Sequence, residues 1–223
     1  METVDHPTFD TFVFDLDGTL LDTLPDLVVL TNAALAEQGF PSRTTDEIHS
    51  FVGNGASALI YQAVPETATA EQAEETMRRW KELYPTLGNK LTKPYPHLPE
   101  TIKALKDGGI RLGVLSNKFD QGVKDVINEY LPGLFEVMHG ECDGIPRKPD
   151  PTGLLRTVRE LESTPERTVY VGDSPGDVRV ARNAGTFAIG VAWGYHNAQD
   201  LRDAKVDAVI EDARELLRYA RVD

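Results

Sequence analysis

From residue 111 onward, apolar runs of strand length alternate with segments of helical periodicity. The alternating segments are 111–115, 119–130, 134–138, 152–161, 168–171, 175–184, 186–190, 208–210 and 213–219. One earlier apolar run, at residues 12–14, ends at the carboxylate of Asp15. Repeated alternation of strands and helices predicts an α/β fold with a parallel sheet that helices cover on both faces.

The segment between the first strand and residue 91 has a different, helical pattern. Thr23 with Asp26 three residues later approximates a capping box, which marks a helix start. A mainly apolar stripe at helical spacing follows until Gly39. We therefore predict an amphipathic helix directly after the first strand.

Two further helices and a junction are predicted in the same segment. Thr44 with Glu47 repeats the helix-start signal, and a longer helical stretch covers about residues 69–84. The run 51–56 interrupts the helical pattern between them. Residues 90–96 contain two prolines, and we interpret them as a hinge that leads back to the alternating region.

Asp15 and Asp17 stand at the end of the first predicted strand, followed by Gly18 and Thr19. Residues two apart on a strand share a face, so both carboxylates are expected just past the strand's carboxyl end, where open α/β sheets bind ligands. Two close carboxylates repel each other unless a cation or a shared proton compensates them. The motif indicates a metal such as Mg²⁺ or a shifted pKa, and its alternative is a plain Asp-Gly turn.

Polar residues also follow other predicted strands. Ser116 and Asn117 end one strand, and their hydroxyl and amide suit phosphate oxygens. Lys148 lies in a proline-rich loop, and Asp173 precedes a predicted helix whose first turn would turn Asp177 back toward it. Taken singly, each has an ordinary alternative: a strand end, an exposed loop lysine and a capped helix start.

The order of these four stretches, and the string from Asp15 to Thr23 above all, resembles the haloacid dehalogenase superfamily, most closely its phosphatase branch. The resemblance implies a Rossmann-like parallel-sheet core and hydrolysis of a phosphate ester with Mg²⁺. The implied roles are Asp15 as nucleophile, Asp17 as general acid and base, Ser116, Asn117 and Lys148 as phosphate ligands, and Asp15, the backbone carbonyl of Asp17, Asp173 and Asp177 as Mg²⁺ ligands. Asp177 would act directly or through water.

The same resemblance implies a small α-helical cap inserted at residues 23–91, with the core formed by 1–22 and 92–223. Gly53, Asn54 and Gly55 would then form the substrate-facing loop of the cap, and a plain helix-helix turn is the alternative. Residues 51–55 and 59–60 around this loop, together with residues 190–195 near the end of the chain, are similar to those in phosphoglycolate phosphatases. A phosphoglycolate-like phosphate monoester is therefore the expected substrate.

Composition narrows the expected partners and location. Lys and Arg number 23 against 36 Asp and Glu, a formal net charge of −13 that disfavours nucleic acid and anionic membranes. Cys142 is the only cysteine, which fits a reducing cytoplasm. Residues 1–7 lack the features of a signal peptide, and the histidines show no spacing typical of a zinc site. We expect a cytoplasmic monomer or homodimer that acts on a small molecule.

Several activities within the superfamily remain open from the sequence: pyrophosphatase, nucleotidase and β-phosphoglucomutase. A non-catalytic phospho-accepting module is the alternative from a different class. Such a module would need neither Asp17 as an acid and base nor a helical insert, and both are present. The sequence therefore favours an enzyme.

Overall fold

The computed structural model describes residues 7–221. Residues 1–6 and 222–223 lie outside the described part, so the prediction that residues 1–7 do not form a signal peptide concerns residues that are mostly outside it. The strands, numbered along the chain, are β1 (Thr11–Phe14), β2 (Leu21–Asp22), β3 (Lys93–Pro94), β4 (Arg111–Phe119), β5 (Val137–Glu141), β6 (Thr168–Gly172), β7 (Phe187–Val191) and β8 (Ala208–Ile210).

Within residues 7–221 the α-helices form two groups, four before β3 and five after it. They are α1 (Leu24–Glu37), α2 (Thr45–Phe51), α3 (Gly55–Ala63), α4 (Ala70–Leu87), α5 (Leu98–Asp107), α6 (Asp120–Tyr130), α7 (Thr152–Glu160), α8 (Pro175–Ala184) and α9 (Ala198–Asp203). Short 3₁₀ helices cover Pro165–Arg167 and Ala213–Tyr219. None of the described helices is long and apolar enough to cross a membrane.

Six strands form one parallel sheet in the order β5, β4, β1, β6, β7, β8. β1 lies in its centre, with Phe14 opposite Val114 of β4 and Val171 of β6. Phe12 and Phe14 belong to one apolar cluster, and Val13 belongs to a second one. Successive side chains on a strand point to opposite faces, so the sheet is buried on both. The α/β fold predicted from the alternation is confirmed.

Helices α1 to α4, called the helical unit below, enclose an apolar cluster of their own. Leu30, Ile48, Ile60 and Trp80 are fully buried in it. Phe119, the last residue of β4, packs against this cluster. The helical unit therefore rests on the carboxyl end of the sheet, where β4 ends.

The chain passes between the sheet and the helical unit at β2 and again at β3, and this place is called the crossing. The buried carboxylate of Asp26 holds it together. β2 and β3 pair as a short antiparallel ribbon at this crossing. Asp26, near the start of α1, accepts backbone N–H bonds from Lys90 at 2.9 Å, Leu91 at 3.0 Å and Thr92 at 2.6 Å. The segment predicted as a hinge is thus fastened to the first helix through one side chain.

The capping box predicted at Thr23 is wrong, because both of its members have tertiary partners. Thr23 makes no side-chain cap bond, and its hydroxyl donates to Asp17 Oδ1 at 2.6 Å. The carboxylate of Asp26 instead accepts the backbone N–H groups of Lys90, Leu91 and Thr92. The second predicted start is correct: Thr44 and Glu47 form a reciprocal capping box before α2.

Other elements also differ from the sequence expectation. Helix α3 begins inside the run 51–56, at Gly55. The strand predicted at 134–138 lies three residues later, because Phe135 is an apolar core residue that precedes the paired backbone. Helices α5 and α9 were not predicted, and the segment Ala213–Tyr219 is a 3₁₀ helix.

Candidate active site

Three carboxylates meet at the carboxyl edge of the sheet. Asp15 follows β1, Asp173 follows β6, and Asp177 lies in the first turn of α8. One oxygen from each lies within 4.8 Å of the others, and all three residues are buried. The parallel register brings them together, because the ends of β1 and β6 are neighbours. The sequence placed each carboxylate at a strand end or helix start, and the family resemblance implied that they share one site.

Lys148 supplies a positive charge to this cluster. Its Nζ lies 2.9 Å from Asp15 Oδ1 and donates to Asp177 Oδ1 at 2.6 Å. It also donates at 3.0 Å to the hydroxyl of Tyr170, which in turn donates to the backbone carbonyl of Leu115 at 2.8 Å. The lysine is 8 % exposed, so it is a buried cation and not the exposed loop lysine of the alternative reading.

The electrostatics of the cluster leave an excess of negative charge. Burial, together with the charges of Asp177 and Asp173, raises the pKa of Asp15 to about 7, although Lys148 opposes the rise. Burial alone would lower the pKa of Lys148, but Asp15 and Asp177 hold it well above its ordinary value. One ammonium among three carboxylates therefore stays protonated and does not balance them.

The oxygen set fits a hard divalent cation. Carboxylate oxygens are the ligands that Mg²⁺ prefers, and a divalent charge would balance the excess. Asp173 is held in place for such a role, since Thr19 Oγ1 donates to its Oδ1 at 2.9 Å and the Tyr195 N–H to its Oδ2 at 2.8 Å. Gly18, at φ +81°, passes so close that a Cβ would lie 2.6 Å from Asp173 Oδ2. Only glycine allows this turn.

Asp17 stands apart from the three carboxylates, as expected for a residue whose backbone carbonyl is the predicted metal ligand. Its Oδ1 accepts the Thr23 hydroxyl at 2.6 Å and the Lys118 ammonium at 3.3 Å. The carboxylate still lines the same cavity as Asp15. Both donors therefore bind the same oxygen of this carboxylate.

Ser116 and Asn117 lie next to the cluster at the end of β4. Asn117 accepts the backbone N–H of Lys148 at 2.8 Å through its Oδ1. Its Nδ2 donates to the backbone carbonyl of Gly53 in the helical unit at 2.9 Å. Both predicted phosphate ligands line the cavity, but the Asn117 side chain is also a link between the helical unit and the loop that carries Lys148.

A cavity of about 370 Å³ lies between the sheet edge and the helical unit. The loop residues Gly53, Asn54 and Gly55 line it together with the carboxylates. Gly55, at φ +80°, sits against the core, and a Cβ there would lie 3.0 Å from the backbone carbonyl of Asn117. The cavity has room for a small phosphate ester.

Several cavity or site residues were not predicted from the sequence. They are Thr23, His49, Lys118, Tyr170, Arg179, Tyr195 and His196. Tyr170 offered a signal, because a tyrosine in a buried strand needs a partner for its hydroxyl. Lys118 offered another, because it directly follows the two polar residues of its strand. His49 and Arg179 offered none, since their place depends on how the helices dock.

Comparisons with known proteins agree with this geometry. The sequence profile of the family described as haloacid dehalogenase-like hydrolase matches residues 12–191. A phosphoglycolate phosphatase from Vibrio cholerae is 33% identical over 216 residues, which are 94% of this chain and 96% of that protein. One from Vibrio vulnificus is 35% identical over 213 residues, which are 92% of each protein.

A solved structure has the same architecture. The protein from Haemophilus somnus, described as a predicted phosphoglycolate phosphatase, aligns with a TM-score of 0.88 at 28% identity. The alignment covers 94% of this chain and 97% of that one. The similarity therefore includes the inserted helices as well as the sheet.

Proposed function

The chain belongs to the haloacid dehalogenase-like hydrolase family, as a phosphatase, and we propose that it cleaves a small phosphate monoester through an aspartyl-phosphate on Asp15. The observation that carries the proposal is the buried group of Asp15, Asp173 and Asp177 around Lys148, with Asp17 beside it. Mg²⁺ is the proposed cofactor, because the donor set consists of carboxylate oxygens.

The first half of the proposed reaction transfers the phosphoryl group to the protein. A carboxylate oxygen of Asp15 forms a bond to phosphorus while the bond from phosphorus to the leaving oxygen breaks. Asp17 gives its proton to that oxygen, so the product leaves as an alcohol. Bound Mg²⁺ would supply positive charge to the phosphoryl oxygens, and Lys148 would add its own.

The second half returns the protein to its starting state. Asp17, now ionised, takes a proton from a water molecule whose oxygen attacks phosphorus. The bond between phosphorus and Asp15 breaks, and inorganic phosphate leaves. Asp17 is thereby protonated again for the next cycle. Its separation from the carboxylates proposed to bind Mg²⁺ supports this use, because its Oδ1 is engaged by Thr23 and Lys118 and not by the cluster.

Phosphate binding is assigned to three residues that line the cavity. Ser116 offers a hydroxyl, and Lys148 offers an ammonium that Tyr170 holds in place. Asn117 is assigned with them, and its contact with Gly53 joins phosphate binding to the position of the helical unit.

We also propose that residues 23–91 act as a cap over the core. Their contacts with β4 and the shared cavity support this division of the chain. Gly53, Asn54 and Gly55 would face the non-reacting end of the substrate. The substrate proposed is phosphoglycolate or a similar small acid phosphate, by likeness to the Vibrio relatives.

A substrate screen tests the proposal. Purified protein with Mg²⁺ is assayed for kcat/KM on phosphoglycolate, sugar phosphates, nucleotides and pyrophosphate. We expect phosphoglycolate or another small carboxylate-bearing phosphate to give the highest value, and chelation to abolish it. A preference for pyrophosphate or nucleotides, or conversion of a sugar phosphate to its isomer, would replace the substrate assignment. No hydrolysis of any ester would overturn the function.

A further inference from the structure

Lys118 is a buried cation that the reaction proposed above does not use. It is the second-last residue of β4 and is 7 % exposed. Its Nζ donates to Asp17 Oδ1 at 3.3 Å. Burying an ammonium is costly unless it is paired, so its place beside the proposed acid and base needs an explanation.

The helical unit closes the other side of Lys118. Its Nζ lies 5.6 Å from the ring centroid of Tyr84 on α4. The adjacent Phe119 packs edge to face against Tyr84 at 4.7 Å and against Trp80 at 6.1 Å. The ammonium is thus confined between a carboxylate of the core and an aromatic face of the helical unit, a favourable place for a cation.

The contacts of Asp17 divide its two oxygens. Oδ1 accepts both Lys118 and the Thr23 hydroxyl, the latter at 2.6 Å. Among residues 7–221, none of the described hydrogen bonds reaches Oδ2. A carboxylate held by one oxygen leaves the other one available for proton exchange.

We propose that Lys118 is a positioning residue, which together with Thr23 fixes Asp17 by Oδ1 so that Oδ2 faces the leaving oxygen of the substrate. The proposal rests on the proposed function of Asp17 as acid and base. Its consequence is a dependence on the leaving group. An alkoxide needs the proton of Asp17 as it departs, whereas para-nitrophenolate is stable enough to depart without it.

The test compares kcat/KM of Lys118→Met on phosphoglycolate, ethyl phosphate and para-nitrophenyl phosphate. The value of kcat/KM reflects only the steps up to departure of the leaving group. The later hydrolysis of the aspartyl-phosphate, which is common to all three substrates, therefore does not affect it. We expect losses of about tenfold to a hundredfold on the two alkyl phosphates, at or below the lower end of the roughly 10²–10⁴-fold contribution of a general acid because Lys118 only positions that acid, and under about threefold on the aryl phosphate. Lys118→Arg should recover most of the loss. Lys103→Met, an exposed lysine on α5, should match the unchanged enzyme.

A double variant checks that the effect passes through Asp17. In an Asp17→Asn background, Lys118→Met should cause no further loss on the alkyl phosphates, because the group it positions is gone. Lys118→Gln, which keeps a polar end in the same buried place, gives the same comparison if the methionine variant does not fold.

Each other result has a distinct meaning. Equal losses on all three substrates, or an undiminished loss in the Asp17→Asn background, would overturn the positioning role. A loss confined to phosphoglycolate would overturn it as well, since Lys118 would then bind the substrate carboxylate. No hydrolysis by the unchanged enzyme would instead overturn the proposed function itself.

Discussion

The Nζ of Lys148 lies 2.9 Å from Oδ1 of Asp15, the carboxylate proposed as nucleophile. A carboxylate attacking a phosphate dianion meets strong repulsion, and a buried ammonium at this distance reduces it. The same ammonium contacts Asp177, so it also limits repulsion within the acidic cluster. Its removal should therefore affect catalysis more than any surface charge does.

Lys148→Met should lower kcat/KM for the best substrate by about 10²–10³-fold, as expected for loss of a buried donor that stabilises transition-state charge. Steady-state kinetics measure the effect. The matched control is Lys103→Met, whose side chain is exposed and pairs with Asp107 on the same helix. A loss of less than about tenfold in Lys148→Met would contradict the role assigned to the lysine.

Metal binding should depend on pH through Asp15. In the metal-free protein the pKa of Asp15 is raised to about 7, so the carboxyl is mostly protonated below that pH and ionised above it. A metal binds the ionised form, so binding below about pH 7 releases a proton. The dissociation constant for Mg²⁺ should rise by about tenfold per pH unit below 7 and level off above it.

Isothermal titration of Mg²⁺ from pH 5.5 to 8.5 measures this dependence, with proton release read from buffers of different ionisation enthalpy. Asp15→Asn should bind Mg²⁺ more weakly and lose the dependence near pH 7. An affinity that does not change with pH would mean that Asp15 is not a ligand.

A negative charge at Asn54 tests the proposal that the loop of Gly53, Asn54 and Gly55 faces the substrate. This residue lines the cavity at the start of α3 and makes no side-chain cap bond. Asn54→Asp should lower kcat/KM for phosphoglycolate by about tenfold or more through repulsion of the substrate carboxylate. The loss on para-nitrophenyl phosphate should be smaller. Asn128→Asp adds the same charge at an exposed position on α6 and should change neither value.

Gly55→Ala separates damage to the loop from loss of recognition. The new Cβ would lie 3.0 Å from the Asn117 carbonyl at a left-handed φ, so the loop must shift whatever the substrate is. This variant should lose activity on both substrates. If Asn54→Asp behaves in the same way, or has no effect, the loop is a plain turn and the phosphoglycolate assignment loses its local support.

Asp26 is expected to stabilise the crossing between the sheet and the helical unit. Asp26→Ala leaves the N–H groups of Lys90, Leu91 and Thr92 without their acceptor, and it should lower the free energy of unfolding by about 3 kcal/mol. Urea unfolding followed by circular dichroism measures the change. Asp46→Ala, an exposed acid in the first turn of α2, should cost under about 1 kcal/mol. Equal effects would show that the crossing is not held by this carboxylate.

The sheet was predicted from the alternation of strands and helices, and the carboxylate cluster from the family resemblance together with the position of each acid at a strand end or helix start. Parallel strands place their carboxyl ends at one edge, so Asp15 and Asp173 had to be neighbours once β1 and β6 paired. The order of motifs along the chain then identified the family. These inferences needed no knowledge of how the helices pack.

The sequence did not predict features that depend on docking between separate parts of the chain. Thr23 fits a capping pattern, yet its hydroxyl binds Asp17, and Asp26 binds backbone more than sixty residues away. The environment of the Lys118 ammonium depends on the Tyr84 ring of α4, which packs over it only in the folded protein. Phe135 lies in the apolar core although it precedes β5. Its apolar side chain therefore made the segment before β5 look like part of the strand in the sequence.

The central claim is that Asp15 carries the phosphoryl group, and Asp17→Asn offers the most direct measurement of it. In this variant para-nitrophenolate can still depart, but the aspartyl-phosphate lacks the base that its hydrolysis needs. Rapid mixing with para-nitrophenyl phosphate and Mg²⁺ should release a burst of about one nitrophenolate per enzyme molecule, followed by slow turnover. Mass spectrometry of the quenched protein should find the phosphoryl group on the peptide that contains Asp15. Release without a burst, and no phosphorylated peptide, would mean that water attacks the ester directly and would contradict the account.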